Sequence, residues 1–320
     1  MAKALITGIS GFIGSSIARA LLREGATVRG IDNLSTGKIA NLDEIRDRID
    51  LRMDDIQDRK AVESACAGMD YVFHEAAIPS VPVSVADPVG TNGPNLDGTL
   101  AVLEAARGAN VQRVVYAASS AAYGDDPALP KREDMLPRPI SPYAVQKVAG
   151  EHYLASYTRV YGLETVALRY FNVFGPRQDP TSQYSGVLAR FIALMLKGET
   201  PTIFGDGSTS RDFVYIDNVV SANLKAAHAS SAAAGRVFNV ATGRRTTLLE
   251  AYEAVRQITG YAGGLEYKPE REGDIRHSLA DIALAREVLG YEIVTEFREG
   301  LEKTIAWYKE SEKQLLATRS

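Results

Sequence analysis

The sequence predicts an α/β fold: a doubly wound parallel sheet covered by helices on both faces, followed by a smaller C-terminal α/β part. Three observations predict it. Short apolar runs alternate with longer amphipathic segments through the first half of the chain. The runs are near-continuously apolar, as strands buried on both faces must be. A glycine-rich turn joins the first run to the first amphipathic segment.

The elements follow in order. "KALIT" (3–7) reads as a strand and "GFIGSSIARALLREG" (11–25) as a helix with apolar residues at helical spacing. "TVRGID" (27–32) and "DLRMD" (50–54) are the next strands, and "RKAVESACAG" (59–68) is helical. "DYVFHEAA" (70–77) is a strand, "NLDGTLAVLEAARGA" (95–109) a helix and "RVVYAASS" (113–120) a strand. A helix from 143 leads to a strand at "ETVALRYFNVFG" (164–175). Beyond it the polar "GPRQDPTSQYSG" (175–186) breaks the pattern. Then come the helix "VLARFIALMLKG", the strand "PTIFG", and "FVYID" (213–217) leading into "NVVSANLKAAHAS". "RVFNVAT" (236–242) is another strand, and the remainder is mostly helical with one strand at "LEYKP". The expected division is a nucleotide-binding domain at 1–172 plus 213–242 and a second domain at 173–212 plus 243–320.

The 320 residues carry a net charge of −4, with 45% hydrophobic and 24% charged, so no basic excess points to nucleic acid. No apolar run approaches the roughly 20 residues of a membrane span, and no secretory signal opens the chain. One cysteine, Cys66, excludes an internal disulfide. Together these lead us to expect a cytoplasmic protein with no nucleic-acid or membrane partner. No His, Cys or acidic cluster has metal-ligand spacing.

"TGISGFIGS" places Gly8, Gly11 and Gly14 between a strand and a helix. Glycine there permits a tight turn and close backbone approach to a pyrophosphate. The helix N-terminus, at Phe12 and Ile13, faces it with free N–H groups. Asp32 ends the second strand, where a carboxylate accepts ribose hydroxyls and repels a 2′-phosphate, favouring NAD over NADP. Asp55 and Ile56 follow the third strand, where an adenine edge is met. This is the Rossmann form of the doubly wound sheet, whose ligands bind outside the carboxyl ends of the strands.

Ser119 and Ser120 end one such strand, and Tyr143 and Lys147 lie one turn apart on the next helix. A phenol with a pKa near 10 is a poor base at neutral pH. A neighbouring ammonium, together with the positive nicotinamide of oxidised cofactor, is expected to favour its phenolate. That phenolate can take a proton from a secondary alcohol while hydride leaves the same carbon, with serine bonding the oxygen.

With these residues in place, the chain resembles the extended short-chain dehydrogenase/reductases. The motifs "TGISGFIGS", "DNLSTG", "YAASSAAYG", "SPYAVQK", "RYFNVFGPRQDP", "GDGSTSRDFVYIDN" and "GDIRHSLAD" are similar to those of UDP-hexose 4-epimerases, nearest to the bacterial UDP-N-acetylglucosamine 4-epimerases. The resemblance implies that Asn33, Ser35, Gly37, Ala76, Asn95 and Tyr170 join the cofactor site, although Asn95 by itself reads as a helix N-cap. It implies substrate contacts at Asn172, Gln178, Val187, Thr202, Phe204, Arg211, Arg271, Asp274 and Ser278, with the two arginines on the diphosphate. It also implies a homodimer through the helices beginning near 95 and 143.

The dehydratases and decarboxylases of this superfamily usually carry an acid just after the catalytic serine. Here Ala121, Ala122 and Tyr123 follow, so the expected reaction is redox-neutral C4 epimerisation through a 4-keto sugar. Ser278 is small, which the resemblance links to room for an N-acetyl group, whereas Ala121 and Pro79 depart from the relatives' pattern and pull toward plain hexoses. A UDP-uronic acid 4-epimerase and a nucleotide-sugar dehydratase or reductase stand as alternatives, and a non-catalytic nucleotide sensor is a reading of another class.

Overall fold

A computed structural model describes residues 1–180, 186–270 and 275–317. In chain order, β1 (Lys3–Thr7), α1 (Phe12–Arg23), β2 (Thr27–Ile31), β3 (Ile49–Arg52), α2 (Arg59–Cys66) and β4 (Tyr71–His74) open the fold. Then come α3 (Val81–Ala86), α4 (Pro88–Asn92), α5 (Gly98–Gly108), β5 (Arg113–Ser119), α6 (Pro142–Tyr161), β6 (Glu164–Tyr170) and β7 (Asn172–Phe174). The remainder is α7 (Val187–Leu196), β8 (Thr202–Phe204), β9 (Ser210–Arg211), β10 (Phe213–Tyr215), α8 (Ile216–His228), β11 (Arg236–Val240) and β12 (Thr246–Thr247), then α9 (Leu248–Thr259), β13 (Glu266–Lys268), α10 (Ala283–Leu289) and α11 (Phe297–Ala317).

Seven parallel strands form the main sheet in the order β11-β6-β5-β4-β1-β2-β3, the doubly wound arrangement expected. Successive residues of a strand point to opposite faces. Ala4 and Ile6 accordingly enter the core under α1 and α8, while Leu5 enters the one under α2, α5 and α6. Both faces are dry, which is why these strands read as continuous apolar runs.

Three features differ from the sequence reading. The apolar run 164–175 is two strands. It breaks at Phe171, whose N–H donates to Val240 O (3.1 Å), and β7 leaves the main sheet to pair with β10. The expected domain boundary at 172 therefore falls inside β7. The segment 78–92, unassigned from sequence, holds α3 and α4, each starting on a capping side chain, Ser80 and Asp87. Asn95 is no N-cap. It lies in a π-turn leading into α5, with its amide spent on the Ile78 backbone (2.7 and 3.2 Å) and on Gln146 Oε1 (2.8 Å).

Candidate active site

The glycine turn is built so that side chains are excluded. Gly8 has φ +68°, and a Cβ there would lie 2.8 Å from Ala76 Cα. A Cβ on Gly14 would lie 2.3 Å from Gly8 O, so α1 can approach the turn only as glycine. No side chain caps α1 at Gly11, which leaves the N–H groups at Phe12 and Ile13 for a ligand anion. Asp32 braces the turn: its carboxylate accepts from Ser10 N and Leu34 N, both at 2.8 Å. Gly37 closes against Ser10 and Asp32. Asn33 donates to Asp55 at 2.8 Å and accepts from Ser35 N at 3.0 Å. Burial pushes the Asp55 carboxyl up, but hydrogen bonds from Gln57 and Asn33 outweigh it and hold the group below its ordinary range. The Ile56 side chain is core, against Gly98, so only its backbone could meet a base. An uncapped helix N-terminus, a glycine cradle and a carboxylate one strand away fit a dinucleotide with a free 2′-hydroxyl.

Beside this turn, Ser141 caps α6 through Ala144 N (3.2 Å), with Pro142 at the first helical position. Tyr143 is thereby fixed in the first turn, and its N–H donates to Ser84 Oγ of α3 (3.0 Å). Of the two candidate serines, Ser119 is the last residue of β5 and its Oγ accepts from Ala121 N (3.2 Å), while Ser120 opens the 3-10 turn that follows. Lys147 is buried, donates from Nζ to Ala117 O (2.9 Å), and lies 6.0 Å from the centre of the Tyr143 ring.

The lysine by itself does not lower the phenol in this arrangement. Burial pushes Tyr143 above its ordinary value, against the pull of the neighbouring Ser119. Lys147 is itself drawn to about 8 by burial, against the carboxylates of Glu75 and Glu151. Desolvation beats attraction here because the ammonium is turned onto a carbonyl rather than onto the phenol.

Of the substrate candidates, Asn172, Thr202, Phe204 and Arg211 fall on short strands outside the main sheet. Asn172 N donates to Asp212 O (3.2 Å) and Ser278 N to Ser210 O (3.0 Å), so the ladder lays Asn172, Arg211 and Ser278 side by side. Arg211 Nη1 bonds the carbonyls of Ser210 (3.0 Å) and Arg276 (3.3 Å). Thr202 and Phe204 bound β8, and the Thr202 hydroxyl donates to Glu266 (2.8 Å). Val187 opens α7, and Gln178 bonds Val173 O (3.2 Å). Arg271 and Asp274 lie outside the described residues.

Sequence reasoning missed three residues. Glu75, just past β4, accepts from the Tyr170 hydroxyl at 2.8 Å. Ser84 holds the start of α6. Asp212, fully buried, accepts from Thr242 N and Oγ1 (2.8 and 2.6 Å), Gly243 N (3.0 Å) and Ala280 N (3.2 Å). An acid at the end of an apolar strand was the visible signal for Glu75, and the acid beside Arg211 for Asp212. His74 bridges Thr7 (2.7 Å) and Thr99 (2.9 Å), and burial lowers it to about 3, a structural role. Among the described residues no group of His, Cys, Asp and Glu could hold a metal ion, and no helix is long and apolar enough to cross a membrane.

Comparison with known proteins places this geometry. The model of the NAD dependent epimerase/dehydratase family matches residues 4–241, and the chain belongs to that family. A UDP-glucose 4-epimerase from Mycolicibacterium smegmatis is 40% identical over 316 residues, spanning 96% of this chain and 98% of the relative. A UDP-glucose 4-epimerase from Thermotoga maritima, solved with UDP-glucose, superposes with a TM-score of 0.92 at 39% identity over 97% of this chain and 99% of its own. A UDP-N-acetylglucosamine 4-epimerase from Methanobrevibacter ruminantium, in complex with UDP-N-acetylmuramic acid, does so with 0.92 at 40% identity and the same coverage. The family read from the motifs is the family matched.

Proposed function

We propose that this chain is an NAD-dependent UDP-hexose 4-epimerase. The observation that carries the reading is Tyr143 with Lys147 one turn on and Ser119 at the end of neighbouring β5, beside a glycine turn shaped for a dinucleotide. When bound, NAD supplies reversible hydride exchange at the sugar's C4. The residues of the chain handle the proton and the geometry. Tyr143 takes the proton of the 4-hydroxyl and holds it until it is given back, so the protein gains no net proton. Ser119 bonds the same sugar oxygen as it becomes a carbonyl. Buried Lys147 supplies positive charge beside the phenol. Arg211 would grip the diphosphate, and the small side chain of Ser278 would leave the hexose room to turn. Gly8, Gly11 and Gly14 with Asp32 would hold the dinucleotide.

Some relatives are named UDP-glucose 4-epimerases and one a UDP-N-acetylglucosamine 4-epimerase, and the small Ser278 supports room for a 2-N-acetyl group. The two-part division into 1–172 plus 213–242 and 173–212 plus 243–320 fits β11 joining the main sheet beside β6, except that its first cut divides β7, whose partner β10 falls in the first part. We read the assembly as a homodimer through α6 and its neighbours. Val145, Tyr153 and Val160 are exposed on one stripe of α6, and Val81, Val85 and Val89 are exposed on the adjoining α3 and α4. A cytoplasmic location fits the single buried thiol, Cys66. Incubation with UDP-N-acetylglucosamine and with UDP-glucose, without added cofactor, tests the function. The epimer is expected with no growth of the NADH absorbance band. Inert substrates in both cases would sink the reading, and net NADH formation would favour the dehydrogenase class.

A further inference from the structure

We propose that Arg169 is a positioning residue of this site: bonded to Glu151 of α6 and lying over the ring of Tyr123, it fixes the helix face that carries Tyr143 and Lys147 against the turn that Ser119 and Ser120 open. The inference deepens the function proposed above and rests on it for its kinetic part. Tyr143, Lys147 and Glu151 follow one another at four-residue spacing, so they share one face of α6. Glu151 ties that face to the main sheet. Its two oxygens accept from Arg169 Nε (2.8 Å) and Nη2 (2.7 Å), a fork between side chains only 5% and 3% exposed. Arg169 stands on β6 in register with Ala118, the residue before Ser119 on β5, and with Asn239 on β11.

The same guanidinium reaches the serine turn. Its carbon lies 4.6 Å from the centre of the Tyr123 ring, a cation–π contact, and Nη1 has no acceptor among the described residues. Tyr123 ends the 3-10 turn that begins at Ser120, and Ser119 caps that turn by accepting from Ala121 N (3.2 Å). Tyr123 cannot drift with the helix, because its hydroxyl donates to Asn239 Oδ1 (2.6 Å). Asn239 in turn donates from Nδ2 to the carbonyls of Lys131 (2.9 Å) and Asp281 (3.0 Å). One buried side chain therefore joins the tyrosine helix to the serine turn. A buried ion pair is a poor source of stability, since a well-packed apolar pair does as well. What the fork adds is direction. A base and a hydroxyl that must converge on one sugar oxygen need it, because a misplacement of about 1 Å can cost about 100-fold in rate.

The test replaces the pair by apolar residues of similar volume. Glu151→Leu combined with Arg169→Met leaves no buried charge, so the fold is expected to hold, melting within about 5 °C of wild type. In the product assay kcat per NAD-loaded subunit is expected to fall at least about tenfold, while KM for the UDP-sugar stays within about twofold. In protein labelled with 13C-tyrosine, the Tyr143 ring resonance is assigned by its loss in Tyr143→Phe. It is expected to split or broaden in the double variant. Should that variant not fold, Arg169→Lys keeps the charge and loses the fork, and is read by the same measures with an expected fall in kcat of about fivefold. A kcat within about twofold of wild type, a KM that rises as far as kcat falls, or an unmoved, sharp Tyr143 resonance overturns the proposal. Failure of the wild type to epimerise sinks the function reading instead, and the resonance still decides Arg169.

Discussion

Tyr143 is held at two points: its backbone N–H on Ser84 and its helix start on the Ser141 cap. Such fixation matters because a base must lie within hydrogen-bond reach of the proton it takes. Tyr143→Phe keeps the ring and loses the oxygen, so turnover should drop by about 10³-fold or more. UDP affinity by calorimetry should stay within about twofold, since the UDP candidates lie on other strands. A variant with near-wild-type turnover would remove Tyr143 from the chemistry. The tyrosine, the lysine and the serines were legible in the sequence because a helix turn and a strand end fix their relations locally. Glu75 was not, because its meaning comes from Tyr170, 95 residues away, and from Asn223 beyond it. Nor was the direction of the Tyr143 shift, which depends on how deeply the phenol is buried and where the ammonium turns.

At the scale of elements, the site depends on how closely α1 and β4 meet β1. Gly14→Ala would force a methyl to within 2.3 Å of Gly8 O, a backbone atom that cannot swing away. The expected cost is about 1–3 kcal/mol of stability, with weaker NAD binding, measured by denaturant unfolding and by fluorescence titration. Wild-type stability and affinity would show that α1 can back away from the turn. His74 ties β4 to β1 and α5 as a neutral imidazole. Its folded pKa of about 3 lies below the ordinary 6.5, so between these values the unfolded chain takes up the proton and the folded one does not. Stability from this residue is therefore complete above about 6.5 and is lost as pH falls toward about 3. His74→Gln should be less stable than wild type at pH about 7.5, and the gap should narrow by pH about 5. A gap that widens on acidification would mean His74 is charged in the fold. Element order and the parallel sheet were readable from apolar runs. α3 and α4 were not, because their short helices owe their existence to the caps at Ser80 and Asp87 and to packing on α6.

Across the whole molecule, the main sheet and the strands that carry the substrate candidates meet on one buried carboxylate. Asp212 sits between Arg211 of β9 and Phe213 of β10, and its oxygens take donors from residues 242 and 243, just beyond β11, and from Ala280. The same segment holds Ser278 through Ser210 O, so Asp212 fixes where Arg211 and Ser278 stand relative to the sheet that carries Tyr143. Asp212→Asn replaces one acceptor oxygen by a donor facing other donors. The expected loss is about 3 kcal/mol, at the upper end for hydrogen bonds to a charged group, with KM for the UDP-sugar raised more than kcat is lowered. A loss under about 0.5 kcal/mol would show that the four donors find other partners. Size at the neighbouring Ser278 is then the separable question. Because its backbone is pinned to Ser210, a larger side chain there cannot retreat with the chain and must enter the adjoining space. Ser278→Tyr should therefore depress turnover of UDP-N-acetylglucosamine at least about tenfold while sparing UDP-glucose. Equal loss on both sugars in parallel product assays would show that the residue acts on folding or on UDP, and not on the room left for the 2-substituent.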